Sequence, residues 1–199
     1  MRGAPVGYTQ ANTKREGEVT RISIIKRPDM NAEQGRVYDE IEKAGGPLGG
    51  PYWAYIRHPK LMRVLQDVGT CLREGPLSGR ERQIAVLTAV RHWNARYPWA
   101  AQVRASLAAG LDQATIDQIN TKKPLAGASA REKMAHEVAK ELLANKGLSQ
   151  ASYDAAKKLF SDEEMVALVA SVGQFSMVSC TANAFDITPA EGAPVLAPG

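Results

Sequence analysis

His92 and Glu81 are the side chains whose types and positions best fit proton transfer. An unperturbed imidazole titrates at about pH 6.5, so His92 can exchange a proton near neutrality. Glu81 lies on the same predicted helix, and Arg91 and Arg96 flank His92. Either arginine could hold a substrate carboxylate through a bidentate pair. The structural alternatives are a histidine at the end of a helix dipole and solvent-exposed arginines.

Amide and aromatic side chains near these groups could orient a small substrate. Gln83 and Gln102 can donate and accept hydrogen bonds but exchange no proton near neutral pH, so we predict a binding role for them. Trp53, Trp93, Tyr97 and Trp99 could form aromatic walls of the site. The structural alternative is that aromatic residues at a helix junction pack in the core. The predicted substrate-binding set comprises Gln83, Trp93, Arg96, Tyr97, Trp99, Gln102 and Asn183.

The histidines and cysteines indicate neither a metal site nor a cofactor. His58, His92 and His136 are scattered and form no recognisable metal motif. His136 lies in the polar segment 131–140, where we expect it to be solvated. Cys71 and Cys180 are far apart and form no CxxC pair, so we expect no disulfide framework. Cys180 lies in an uncharged segment, where we expect it to be buried.

The basic charge is concentrated at the N-terminus. Residues 1–27 contain six basic and two acidic side chains, and this excess of +4 equals the formal charge of the whole chain. We predict a solvated arm and no nucleic-acid partner, because no aromatic or glycine-rich pattern accompanies the charges. No apolar secretion signal follows them, and the uncharged run 165–185 contains too many polar groups for a membrane span. We therefore expect a cytoplasmic protein.

Helix signals dominate the sequence. Three segments of the form Ser-x-x-Glu, beginning at Ser78, Ser129 and Ser161, predict capping boxes. Val19 to Ile25 is a weak strand signal. We expect the segments 78–95 and 162–182 to form the centre of a bundle. The predicted helices lie near residues 31–44, 51–57, 59–74, 78–95, 98–109, 112–120, 129–145, 149–159 and 162–182.

Pro98 predicts a break within this helical pattern. Proline is costly in a helix interior but well tolerated at the first helical position. We therefore predict that one helix ends near Arg96 and that the next begins at Pro98.

A series of short motifs runs in a fixed order from about Ile22 to Pro198. It includes Gly50-Pro51-Tyr52-Trp53, Leu77-Ser78-Gly79-Arg80-Glu81-Arg82, Tyr97-x-Trp99 and Ala182-Asn183-Ala184-Phe185-Asp186-Ile187. Their order and spacing resemble the carboxymuconolactone decarboxylase family, which includes the AhpD-type alkylhydroperoxidases. The resemblance implies an all-α bundle with a single domain over 28–185. It also implies a homo-oligomer, commonly a trimer or hexamer. The proline- and glycine-rich composition of 186–199 indicates a tail without its own core.

The residues that carry the chemistry of the family are replaced in this sequence. The family commonly has Tyr-Glu-Trp-x-x-His where this chain has Tyr97 to Gln102, so Pro98 stands for the glutamate and Gln102 for the histidine. The cysteines of its thiol peroxidases would fall at Ala95 and Pro98, and Gln83 stands where an upstream glutamate is common. The resemblance therefore argues against a thiol peroxidase, which needs a thiolate.

Two hypotheses about function follow from the sequence. The first is a decarboxylase-like lyase, isomerase or hydrolase acting on a small carboxylated, lactone or aromatic-derived substrate, with His92 or Glu81 moving protons. The second is a catalytically lapsed relative that binds a small ligand or serves in assembly. A retained pocket frame with amides at two of the altered positions favours the first hypothesis, and the loss of proton-handling residues favours the second. From the sequence we prefer the first.

Overall fold

The computed structural model describes residues 20–198, and these residues form nine α-helices and no strand. The predicted all-α, single-domain architecture is therefore confirmed. The weak strand signal was wrong for residues 20–25, while Val19 lies outside the described residues. A short 3-10 turn, Arg27–Asp29, precedes the helices. The helices are α1 (Ala32–Lys43), α2 (Tyr52–Tyr55), α3 (Pro59–Arg73), α4 (Gly79–His92), α5 (Arg96–Ala108), α6 (Gln113–Asn120), α7 (Ala130–Asn145), α8 (Gln150–Lys157) and α9 (Asp162–Ala184).

Helix α4 is the centre of the fold. Its middle turns are fully buried on all sides, with Ile84, Val86, Leu87 and Val90 at 0% exposure. It packs against α5, α6, α7 and α9. A helix with apolar residues around its whole circumference has to be surrounded, and the neighbouring helices satisfy this requirement.

The start of α5 differs from the prediction. The helix begins at Arg96, so Pro98 occupies its third position and not its first. This place is still tolerated, because the first four N–H groups of a helix have no partner within it and a proline there forfeits no bond. Ala95 accepts the first helical bond, from the Trp99 N–H at 2.9 Å.

Three helix N-termini are joined by ion pairs. The predicted capping boxes are present at α4, α7 and α9. Each capping glutamate also pairs with an arginine from another helix. Arg131 on α7 contacts Glu81 of α4 at 2.5 Å and Glu164 of α9 at 2.6 Å. Arg80 on α4 contacts Glu132 of α7 at 2.5 Å, so α4 and α7 exchange arginine–glutamate pairs.

Helix α9 is buried on one face only. Leu168 and Val172 lie in the core, whereas Val166 and Cys180 are exposed, so the expected burial of Cys180 was wrong. Within residues 20–198, α9 alone is long and apolar enough to cross a membrane by length and composition, and 39% of its most apolar window is buried. Its buried face packs against α4 as a core helix of the bundle.

Helices α3 and α9 contact each other, and each carries exposed small and apolar side chains at alternating spacings of three and four residues. We call these two rows together the apolar stripe. The stripe consists of Val166, Ala170, Gly173, Met177, Cys180 and Ala184 on α9 and Leu61, Val64, Val68 and Cys71 on α3.

Both ends of the described chain pack on the bundle. The Arg21 N–H donates to the Phe185 carbonyl at 2.7 Å, so part of the predicted arm lies against the end of α9. Residues 1–19 of that arm lie outside the described range. The C-terminal tail has no core of its own and runs over α6, where the Asn120 amide donates to the Val195 carbonyl at 3.0 Å.

Candidate functional site

A cavity of about 300 Å³ opens between α3, α4, α5, α9 and the loop before α2. We call it the amide cavity, because three glutamine side chains line it. Two arginines and two tyrosines lie beside them. Its polar lining comprises Tyr52, Arg73, Arg82, Gln83, Tyr97, Gln102 and Gln174.

The amides of Gln83 and Gln102 meet in this cavity. Gln83 is fully buried on α4, and its Nε2 donates to the Gln102 Oε1 at 3.2 Å and to the Ser106 Oγ at 3.1 Å on α5. The Oε1 of Gln83 is also buried and accepts no hydrogen bond within residues 20–198. A buried polar atom without a partner is costly, and this oxygen is closed off from solvent, so it adds to the cost of burying Gln83 and is not open to a ligand.

Tyr97 is held at the cavity edge by a pair of glycines. A Cβ added at Gly50 would lie 2.0 Å from Tyr97 Cε1, and one at Gly49 would lie 2.7 Å from the Tyr97 hydroxyl oxygen. Gly50 also has a positive φ of 65°, which L side chains rarely adopt. Trp53 packs edge-on against the ring at 5.8 Å between centroids. The loop before α2 therefore fixes the position of Tyr97.

Arg82 and Arg73 make the cavity cationic. Within residues 20–198, neither guanidinium forms an ion pair with a carboxylate; Arg73 donates to the Thr70 hydroxyl at 2.8 Å. Burial lowers the pKa of the half-buried Arg82 below its ordinary value, and the positive charge of Arg73 lowers it further. The described lining residues include no carboxylate, imidazole or thiol. An anion bound here could therefore pair with two arginines, because no carboxylate of the described lining competes for them.

Gly69 gives the arginine and amide groups room at the opening. A Cβ at this position would lie 3.1 Å from Gln174 Nε2 and 3.2 Å from Arg73 Nη1. Any larger residue would have to displace one of these polar groups.

The structure brings together Gln83, Tyr97 and Gln102 from the predicted site, and it places the other predicted residues elsewhere. Glu81 lies in the capping box of α4. Burial opposes its ionisation, but hydrogen bonds from Arg131 and Ser78 outweigh burial and lower its pKa. Trp99 is 1% exposed and packs in the core with Ile84, which agrees with the structural alternative for the aromatics.

Trp93, Arg96 and Asn183 lie on the exposed surface near the ends of α4 and α9. The Asn183 amide donates to the Trp93 carbonyl at 2.7 Å, and Arg96 contacts Asp186 at 3.2 Å. None of the three lines the amide cavity. These contacts connect the end of α4 to the end of α9.

His92 lines a different cavity, of about 230 Å³, between α4, α6 and α7. We call it the histidine cavity, because His136 lies there too. The expected solvation of His136 was wrong: the residue is 6% exposed, and its Nδ1 lies 2.8 Å from the Thr88 Oγ1. Burial lowers the pKa of His136 to about 4, and the nearby Lys140 charge adds to this effect.

Arg91 does not present its guanidinium to a substrate. It is buried, and its Nε donates to the Asn120 carbonyl at 2.7 Å. Its other nitrogens contact the Asn94 side chain and the Pro198 carbonyl. Arg91 therefore ties α4 to α6 and to the C-terminal tail.

Three lining residues of the amide cavity were not predicted from the sequence as ligand-binding groups. They are Arg73, Arg82 and Gln174. Gln174 carried a usable signal, because it is a long amide in an otherwise uncharged helix. Arg82 was obscured by the charged segment around it, and the approach of Arg73 depends on how α3 packs against α4 and α9.

No protein-family model matches the chain, and no curated protein matches its sequence. Solved structures are similar in fold. An uncharacterized peroxidase-related protein from Silicibacter sp. TM1040 aligns with a TM-score of 0.73 and 15% identity over 92% of this chain and 97% of its own. The AhpD-core structure of a peroxidase-related protein from Ralstonia eutropha JMP134 aligns with a TM-score of 0.72 and 17% identity over 86% of this chain and 93% of its own.

A variant of the debrominase Bmp8, in complex with 2,3,4-tribromopyrrole, aligns with a TM-score of 0.66 and 15% identity over 87% of this chain and 92% of its own. Sequence identity this low carries information about architecture and not about activity. Together these likenesses show that the chain has the AhpD-like helical fold.

Proposed function

We propose that the amide cavity binds a small carboxylated molecule, of aromatic-derived or lactone type. The observation that carries this proposal is the half-buried Arg82, which lies near Arg73 and forms no ion pair with a carboxylate within residues 20–198. Removing a charge from water is costly unless a partner compensates it. A ligand carboxylate would supply that partner, and a guanidinium can hold it through two parallel hydrogen bonds.

The remaining groups of the cavity fit the rest of such a ligand. The half-buried Gln102 and Gln174 line the cavity, and their amides can hydrogen-bond a ligand hydroxyl or N–H group. Tyr97 and Phe175 supply aromatic surface beside it. The structurally similar debrominase binds a substituted pyrrole, which supports a single-ring ligand for this chain as well.

The geometry supports binding more directly than catalysis. A general acid or base has to lie within hydrogen-bond reach of the proton that it transfers. Glu81 and His92, the two residues expected to move protons, lie outside the amide cavity, whereas Gln83 and Gln102 line it. We therefore favour the catalytically lapsed, ligand-binding hypothesis over a decarboxylase-like lyase, isomerase or hydrolase.

A ligand screen that also records turnover tests this proposal. Benzoate, cis,cis-muconate and a carboxylated γ-lactone should raise the melting temperature, whereas benzamide should not. Nuclear magnetic resonance of the same mixtures should show each compound unchanged over a day. Consumption of any compound would favour the enzyme hypothesis, and an equal response to benzoate and benzamide would contradict a carboxylate site.

We also propose that the chain forms homo-oligomers through the apolar stripe. Its alternating spacing of three and four residues is the pattern of a helix that packs against another helix. Small residues such as Ala170 and Gly173 allow close approach of the backbones, and Met177 supplies adaptable apolar surface. A second copy of this chain is the proposed partner, because α3 and α9 contact each other and both carry this pattern on exposed residues.

A further inference from the structure

The histidine cavity contains a polar group that the fold leaves without a partner. His136 is more than nine-tenths buried on α7, and its only hydrogen bond within residues 20–198 is the one between Nδ1 and Thr88. Its Nε2 has no hydrogen-bond partner within residues 20–198 but keeps some exposed surface, and His136 lines the cavity. The second ring nitrogen is therefore accessible from the cavity.

The hydrogen bonds of Thr88 determine which nitrogen carries the proton. The Thr88 hydroxyl lies 2.7 Å from the Ile84 carbonyl, which can only accept, so the single hydroxyl proton is donated there. The contact between Thr88 Oγ1 and His136 Nδ1 then requires an N–H on the ring. In the neutral ring, Nε2 consequently carries a lone pair and can accept a proton or a hydrogen bond.

Positive charge surrounds this acceptor. Arg91, Lys122 and Lys140 line the cavity together with His92. Arg91 is occupied by backbone carbonyls, and Lys140 is paired with Glu137 at 3.0 Å. Lys122 forms no ion pair within residues 20–198. Lys122 is thus the cation available to a ligand anion.

The backbone of Lys122 supports a role for its side chain. Its φ is 57°, in the left-handed region, just after the end of α6. Glycine is the usual residue at such a helix end, because a side chain there is unfavourable. A lysine at this position costs stability, and the residue lines the cavity.

We propose that the histidine cavity is a second small-molecule site, which binds a single-ring hydroxy acid. The ligand hydroxyl donates to His136 Nε2, and the ligand carboxylate faces Lys122. The aliphatic walls formed by Ile119, Leu143 and Ala144 contact the ring. The volume of about 230 Å³ lies below the ~300–1,000 Å³ of drug-sized sites, which restricts the ligand to one ring. This proposal does not depend on the amide cavity.

Titration of protein containing ¹⁵N-labelled histidine tests the proposal at the residue itself. In the free protein, the His136 resonances should show a proton on Nδ1 and none on Nε2. Adding 4-hydroxybenzoate should shift the Nε2 resonance saturably. Benzoate, which lacks the hydroxyl, and 4-hydroxybenzamide, which lacks the carboxylate, should each bind about fivefold more weakly, as expected for the loss of one hydrogen bond or ion pair.

Variants separate this site from others. Lys122→Gly removes the ammonium group and relieves the backbone, so it should fold normally and weaken 4-hydroxybenzoate about fivefold. Lys133→Ala, on the exposed side of α7, is the charge-matched control and should bind as the original chain does. A ligand bound in the amide cavity would leave the His136 resonances unchanged.

Three results would overturn the proposal. They are a proton on Nε2 in the free protein, no shift of that resonance at low-millimolar 4-hydroxybenzoate, and equal affinity in Lys122→Gly and Lys133→Ala.

Discussion

The side-chain nitrogen of Gln83 lies 3.2 Å from the side-chain oxygen of Gln102, and this contact joins α4 to α5 inside the amide cavity. Both groups are amides, so the contact orients polar atoms without moving a proton. The same Gln83 nitrogen also contacts the buried Ser106 hydroxyl. The pair therefore has a structural role as well as a proposed role in binding.

Gln83→Leu should destabilise the protein by about 1–3 kcal/mol. The change keeps most of the side-chain volume but leaves the buried Ser106 hydroxyl without its amide donor, and an unsatisfied buried group costs about that much. Urea unfolding followed by circular dichroism measures the loss. Gln150→Ala, on the exposed surface of α8, should change the free energy of unfolding by less than about 0.5 kcal/mol. Equal values for both variants would show that the Gln83 amide contributes nothing to stability.

Arg131→Met should lower the free energy of unfolding by about 2 kcal/mol. Arg131 pairs with Glu81 and Glu164, and its guanidinium carbon lies 4.4 Å from the centroid of the Phe160 ring. Removing it leaves the mostly buried Glu81 carboxylate without its ion pair, and partial exposure of Arg131 keeps the cost below that of a fully buried pair. Arg36→Met breaks an exposed pair with Glu40 and should cost less than about 0.5 kcal/mol. Chemical unfolding of both variants under one buffer condition makes the comparison.

Acidification should destabilise the protein through His136. Because burial holds its native pKa at about 4 and the unfolded value is about 6.5, the unfolded state binds the proton first as pH falls. Stability is therefore fully present above pH ~6.5 and decreases by about 2 kcal/mol between pH 7 and pH 5. The other charged or titratable groups around His136 line the same cavity or pair with a residue that does. They are Arg91, His92, Lys122, Lys140 and Glu137, which pairs with Lys140.

The matched variant for this prediction is His136→Phe, which keeps a ring but no titrating nitrogen. Its free energy of unfolding should change about 2 kcal/mol less than that of the original chain over the same pH interval. All other titrating groups are common to both proteins, so the difference isolates His136. Parallel pH profiles would contradict the assigned pKa.

Met177→Glu should reduce the oligomeric mass in solution. The substitution places a charge in the middle of the apolar stripe, where burial against a second copy would require its desolvation. Size-exclusion chromatography with light scattering reports the mass directly. Gln150→Glu adds the same charge on exposed α8 and should leave the mass unchanged. A monomeric mass for the unmodified chain would contradict the proposed self-association.

The helical architecture was readable from the sequence because its signals are local. Each capping serine lies three residues before its glutamate, and the uncharged centre of α4 indicates burial. The start of α5 was misplaced because Pro98 fits the third position of a helix as well as the first. Which of the two positions Pro98 takes depends on the backbone conformation of Ala95 and the turn before it, and the local sequence pattern does not determine that conformation.

The sites were less predictable because they depend on packing between distant segments. Gln83 and Gln102 were identified from their own chemistry, but Arg73 joins them only through the packing of α3. His136 was misjudged because charged neighbours along the sequence suggested exposure, whereas its own side of α7 faces α4. Glu81 belonged to a predicted capping box, and its pairing with Arg131 depends on the meeting of two helix N-termini.

Calorimetric titration of benzoate against Arg82→Gln and Arg104→Gln tests the central claim most directly. Both variants remove one positive charge, but Arg82 lines the amide cavity and Arg104 is exposed on α5 outside its lining. We predict that Arg82→Gln weakens benzoate binding about tenfold or more, as expected for the loss of a hydrogen-bonded charge pair, while Arg104→Gln binds like the original chain. Equal affinity of both variants for benzoate would contradict a carboxylate site in the amide cavity.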